Sequence, residues 1–240
     1  MLRGKSSPVD QNSPVDSNNY SKGSATAITT DSTTTFPAKE GSHELLDKFM
    51  AEASNEIMMF FSLLSKTPLS FFNRKGLNTT PTWSPDGTKL AYTSSVTLDP
   101  EIYLGDVRGA NSKRLTYVRG VDIQPAWNPK TGAQIAFVSD RSGHPMIYMM
   151  DSEGANVTQL VDGGTQALDP SWSPNGRLLA FTWNRDEHYD IYLMDVTTRE
   201  IVQLTKDSGR NEHPSWSPDN RHIVFWSDRG GSGGLWEARR

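Results

Sequence analysis

Pro81-Thr82-Trp83-Ser84-Pro85-Asp86-Gly87 returns, with small changes, as Pro125-Ala126-Trp127-Asn128-Pro129, as Pro170-Ser171-Trp172-Ser173-Pro174-Asn175-Gly176 and as Pro214-Ser215-Trp216-Ser217-Pro218-Asp219-Asn220. The four tryptophans, at 83, 127, 172 and 216, are therefore 44, 45 and 44 positions apart in a chain of 240 residues. Self-similarity at that period means a stack of like supersecondary units, so one architecture must account for most of the chain.

Each period carries the same internal order. A short apolar run follows the turn: Leu90–Ser94, Ile135–Ser139, Leu179–Trp183 and Ile223–Ser227. These runs are rich in β-branched and aromatic residues and too short for helices, which makes them strands. A second run follows (Ile102–Asp106, Ile147–Asp151, Ile191–Asp195 and, more loosely, Leu235–Ala238), then a third at Arg114–Thr116, Gln159–Val161 and Gln203–Thr205. The fourth period has no third run. With the P-x-W segment as its first strand, a full period supplies four strands. Pro-Asp-Gly and Pro-Asn-Gly fix φ at one turn position and tolerate positive φ after it, closing a tight hairpin. Four-stranded antiparallel units at this period, with one large aromatic each, predict an all-β fold: a β-propeller of about four blades over 77–240.

The combination P-x-W-S-P-D-G, a strand ending in Ser, I-Y-x-M-D and Q-L-T resembles the propeller repeat of the TolB family, the soluble component of the bacterial Tol–Pal envelope system, over residues 77–240. The resemblance implies a protein-binding scaffold. It further implies that the loops just before each P-x-W face a partner, which in that family is the lipoprotein Pal. By position the implied partner-binding residues are Asn78, Asp122, Asp169, Arg210, Asn211 and Glu212. The family's propeller has six blades behind an α/β domain, whereas three complete periods and a fourth without its last strand are readable here.

Composition narrows the function classes. The net charge is −4, and residues 1–76 balance eight basic against eight acidic side chains, so the negative excess belongs to the repeats. That argues against a nucleic-acid surface, which is normally basic. The absence of cysteine removes disulfides, zinc-thiolate sites and a thiol nucleophile. Gly230-Gly231-Ser232-Gly233-Gly234 satisfies G-x-S-x-G formally, but it lacks the following helix, acid and histidine that a nucleophile elbow requires, and it reads as a hairpin loop. The five histidines, His43, His144, His188, His213 and His222, show no metal-ligand spacing and read as loop or surface residues. No enzyme activity, cofactor or metal is expected.

The first 40 residues are polar and of low complexity, with Ser-Pro-Val-Asp at 7–10 and again at 13–16, and offer little apolar surface to offset ordering. The Thr-rich stretch 24–37 is the one β-prone part, a candidate for the missing strand of the fourth unit. Residues 41–76 form a third region. Apolar residues from Leu45 to Leu64 recur at three- and four-residue steps behind Ser42, predicting an amphipathic helix over 42–65 that ends before Pro68. Its N-terminal half reads first as packing on the propeller or on a second copy of the chain, and its apolar end, with Phe60, Phe61, Phe71 and Phe72, is expected to attach the protein to a larger assembly or a membrane surface. An uninterrupted run of about 20 apolar residues for a membrane span is missing. No apolar signal segment follows Arg3 and Lys5, so a peripheral-membrane or cytoplasmic location is expected, and a periplasmic one if the family role is retained. The expected function is a non-enzymatic protein–protein interaction scaffold serving a larger, membrane-associated complex. The alternatives are a Tol–Pal component binding a Pal-like lipoprotein and a remnant of a propeller-gated peptidase.

Overall fold

The computed structural model describes residues 58–62, 67–72, 76, 78–106, 111–206 and 209–239. Two strands come first: β1 (Met58–Ser62) pairs antiparallel with β2 (Thr67–Phe72), with Phe60 opposite Leu69 and Phe61 opposite Pro68. This corrects the helix expected over 42–65 where it can be tested, at 58–62. Met58-Met59-Phe60-Phe61 leaves no polar side for a surface helix, and a short apolar aromatic run suits an extended strand equally well. The rest of that helix, and the stretch 24–37, lie outside the described residues.

Four antiparallel sheets follow, in the order the repeats predict. The first holds β3 (Asn78–Trp83), β4 (Lys89–Ser94), β5 (Glu101–Asp106) and β6 (Ser112–Arg114). The second holds β7 (Asp122–Trp127), β8 (Gln134–Ser139), β9 (Met146–Asp151) and β10 (Thr158–Gln159). The third holds β11 (Gln166–Trp172), β12 (Leu178–Arg185), β13 (His188–Asp195) and β14 (Ile201–Gln203). The fourth has three strands, β15 (Asn211–Trp216), β16 (His222–Ser227) and β17 (Gly234–Arg239). In every sheet the strands lie side by side in chain order, so each is a meander and the whole is a four-bladed propeller.

The sheets stack in sequence. β7 packs on β3, β4 and β5; β11 packs on β7, β8 and β9; β15 packs on β11, β12 and β13. Among the described residues no such stacking joins the fourth sheet to the first. The second strand is buried on both faces in the first three blades, which explains its continuous apolar run, whereas β16 alternates buried Ile223, Phe225 and Ser227 with half-buried His222, Val224 and Trp226. Tyr92, Phe137, Phe181 and Phe225 fill one face, each at 1% exposure or less, and Ala91, Ala136 and Ala180 leave room on the other for the next blade. Burying such a ring is worth roughly 2–3 kcal/mol.

The repeat residues have identifiable structural work. Trp172 and Trp216 donate their indole N–H groups to the carbonyls of Ala126 and Ser171 in the preceding blade, at 2.9 and 3.1 Å. In the turns, Ser84 Oγ donates to Asp86 Oδ1 (2.6 Å), and Gly87, Gly176 and Asn220 take φ of 68°, 70° and 60°. Asp151 and Asp195 accept turn amides, from Ala155 (2.8 Å) and Thr197 (3.0 Å) among others, as expected of the strand-closing aspartates. Arg239, and not Glu237, occupies that place in the fourth blade, because the ladder sets Arg239 opposite His222. The threonine of the third run clasps its blade: Thr116 and Thr205 accept the amides of Ile102 and Ile191 at 2.9 Å, and Thr205 donates to buried Asp190 at 2.7 Å.

Candidate functional site

The innermost strand of each blade carries a proline in its middle, at 81, 125, 170 and 214, on an edge where an N–H would meet no neighbouring strand. The pairing register breaks at the same place in all four, between Thr79 and Thr82, Ile123 and Ala126, Leu168 and Ser171, and Glu212 and Ser215. The residue before each proline has positive φ: Thr80 at 49°, Gln124 at 53°, Asp169 at 55° and His213 at 55°. That conformation is uncommon outside glycine and unusual for β-branched threonine, so its fourfold recurrence marks a built bulge. The four residues and their prolines, with Ser171, line one central cavity of about 280 Å³.

The backbone amides at these bulges are satisfied from the preceding blade. Thr93 Oγ1 accepts from Gln124 N and Thr182 Oγ1 from His213 N, both at 3.2 Å. The second blade has Val138 where the first and third have Thr93 and Thr182, and there Gln124 Oε1 takes over, accepting from Asp169 N at 3.1 Å. Gln124 Nε2 in turn donates to Asp169 Oδ1 at 2.7 Å, while Thr182 Oγ1 donates to Asp169 Oδ2 at 2.9 Å. His213 Nδ1 lies 3.2 Å from the same Oδ2, with the imidazole 68% exposed and the carboxylate 11%. Thr80 shares a 2.8 Å hydroxyl contact with Thr93. A continuous polar seam thus crosses the cavity wall from the first blade to the fourth.

Burial opposes ionisation of Asp169, but the His213 contact, Thr182 and Gln124 outweigh it and hold the carboxyl below its ordinary range. The hydrogen bond to Asp169, reinforced by its charge, raises His213 against the opposing effect of partial burial.

The positions read from the sequence separate into four groups. Asn78, Asp122 and Asn211 open the inner strands and are buried, at 4%, 1% and 0%. Asn78 accepts from Ser94 Oγ (2.8 Å), Asp122 takes both oxygens to Arg141 (3.0 and 2.9 Å), and Asn211 accepts from Arg229 (2.7 Å) and donates to Asp190 (3.0 Å). Their side chains tie the inner strand to the rest of the blade, and Asn211 also ties it to Asp190 of the preceding blade. Asp169 stands on the cavity. Arg210 and Glu212 form a 2.8 Å ion pair beside it, with Arg210 stacked over Tyr189 at 4.1 Å. Phe60 and Phe61 fall on β1, and Phe71 and Phe72 on β2. Sequence reasoning missed Thr80, Gln124 and His213, although the signal was present: each directly precedes a proline and repeats with the tryptophan period. Among the described residues no cluster of potential metal ligands occurs.

The family model described as the TolB β-propeller domain matches residues 51–169 and 162–239. The chain belongs to the TolB β-propeller family. It is similar to the solved structure of a TolB from Agrobacterium tumefaciens, described there as putative, at 26% identity and a TM-score of 0.66, covering 75% of this chain and 64% of that one. A TolB from Acinetobacter baumannii matches at 27% identity and a TM-score of 0.64, over 77% of this chain and 48% of that one. The curated Tol-Pal system protein TolB of Thioalkalivibrio sulfidiphilus is 36% identical over 55 residues, which are 23% of this chain and 13% of that protein. The chain therefore spans less than two thirds of each relative's length.

Proposed function

We propose that the chain is a non-enzymatic, protein-binding TolB-type propeller whose partner docks over the central cavity at Thr80, Gln124, Asp169 and His213, with Arg210 and Glu212 at the rim. The observation that supports it is the bulge itself. One backbone frame, repeated four times, holds four chemically different side chains, and difference on a constant frame is what recognition requires. Membership of the TolB family makes a Pal-like lipoprotein the first partner to test. Thr80 is exposed and its side chain does not carry a bulge amide, so Thr80→Arg should fill the cavity mouth while the blades stay folded. Capture of a purified Pal-like lipoprotein should fall at least tenfold in this variant, with an unchanged melting temperature. Equal capture by wild type and Thr80→Arg would overturn the channel mouth as the docking place.

A second attachment belongs to the β1–β2 hairpin, whose run of Met and Phe supports contact with an assembly or a membrane surface. Replacing Phe60, Phe61, Phe71 and Phe72 with serine should release the protein from the particulate fraction of its cells without unfolding the propeller. Unaltered co-sedimentation, or loss of the propeller's folding, would refute that role.

A further inference from the structure

The Asp169–His213 pair has a property that the protein-binding reading does not require. Asp169 is nearly buried and all its contacts are donors: Gln124 Nε2, Thr182 Oγ1 and the imidazole. An ionised carboxylate accepts only, so the ring nitrogen facing it, Nδ1, must carry hydrogen whether or not the ring is charged. Titration of His213 therefore takes place at Nε2. The ring is 68% exposed on the cavity mouth, so the change occurs where a partner would touch.

We propose that His213 is a proton-gated specificity contact of the channel mouth: with Nδ1–H fixed on Asp169, its Nε2 donates to a partner carboxylate in mildly acid solution and accepts from a hydroxyl or amide N–H in alkaline solution. The proposal rests on the reading of the cavity as a docking surface. The surrounding charges allow it. On its own strand His213 has Glu212, which is paired with Arg210 in the loop just before that strand. β11 contributes Asp169 and β12 the neutral Thr182. On β13, Tyr189 lies under Arg210, and Asp190 is bound by Thr205, Gln203 and Asn211. The titratable His222 of β16 stands at the other end of its strand, near Asp219 and Glu237. Asp169, the one anion in direct contact with the ring among the described residues, already accepts from three donors and holds Nδ1–H, so an incoming carboxylate is left with the Nε2–H.

The test uses the whole chain and two probes, acetyl-Gly-Glu-Gly-amide and acetyl-Gly-Gln-Gly-amide, followed through the His213 imidazole resonances. The Glu peptide should shift them in acid solution, and its affinity should fall about tenfold per pH unit above the His213 midpoint, as the protonated fraction does. The Gln peptide should show no such fall. His213→Gln is a safe comparison, because Gln124 already occupies the same backbone frame with a φ of 53°; it should bind both peptides equally at every pH. Asp169→Asn should lower the His213 midpoint. A Glu-peptide affinity independent of pH, or a midpoint for His213 no higher than in Asp169→Asn, would overturn the proposal. Because the docking reading is tested separately by Thr80→Arg, a channel-dependent partner with no pH dependence would sink the proton gate alone.

Discussion

Asp122 shows how position and availability part company at the scale of a single residue. It sits at the end of a channel-side loop, where the family resemblance implies partner contact, yet both its oxygens accept from Arg141, whose guanidinium also lies over the Phe137 and Tyr148 rings at 5.3 and 5.0 Å. Removing one member of a buried pair leaves the other charge uncompensated. Asp122→Ala should therefore cost about 3 kcal/mol, read as a lower urea midpoint, whereas the exposed Arg210→Ala should cost under about 1 kcal/mol. Asp86 makes the opposite case, an exposed carboxylate with a structural task. Hydrogen bonds from Ser84 first, then from the amide and hydroxyl of Thr88, lower it from 3.8 to about 2. A depressed carboxyl stabilises the fold above its ordinary value and loses that contribution as pH falls through the folded one. A carbon-13 titration should place the Asp86 midpoint near 2, returning towards 3.8 when Ser84 and Thr88 are both alanine. The turn chemistry was readable from Ser-Pro-Asp-Gly. The burial of Asp122 was not, because its partner Arg141 lies in a different loop, and nothing local distinguishes a buried acid from a rim acid.

Elements were legible in proportion to how far their residues repeat. All four second strands and all four tryptophan strands appeared where the period placed them, since burial, on both faces in the first three blades, demands an apolar run and the bulge tolerates proline. β10 is only two residues long and was recognisable solely by its Gln159-Leu160-Val161 context. The β1–β2 hairpin occurs once, so no recurrence could decide between three-residue spacing and extended pairing in a short apolar run. The fourth blade shows what an unmatched element leaves behind. Ile102, Ile147 and Ile191 lie in the third strands at 0% exposure, while Leu235 at the same register in β17 is 63% exposed, and among the described residues no strand pairs with the outer edge of β17. An apolar free edge invites association with another chain. Leu235→Lys should raise the concentration at which light scattering detects aggregates, with a change in stability below about 0.5 kcal/mol; unchanged scattering would show that this edge is covered in solution.

For the molecule as a whole, the blades stack from first to fourth by one rule, each inner strand wedged against the three inner strands of the blade before it. The rule was visible in the sequence, but the seam of Gln124, Asp169 and His213 was not, because it joins residues one full period apart and depends on backbone angles that no residue type there announces. The bulges also have an evolutionary consequence. Proline denies an approaching strand its hydrogen-bond ladder, so on the proposed docking the cavity is read through side chains, and its Thr, Gln, Asp and His would serve as a four-letter address. One letter can be rewritten singly: Thr80 is not needed for any neighbour's amide, whereas the imidazole of His213, though its own amide is held by Thr182, supports the Asp169 carboxylate. The other three letters are spelled together, because Val138 leaves Gln124 to hold Asp169 and His213 holds the same carboxylate, so under the proposed docking a change of partner has one free substitution and a linked set of three.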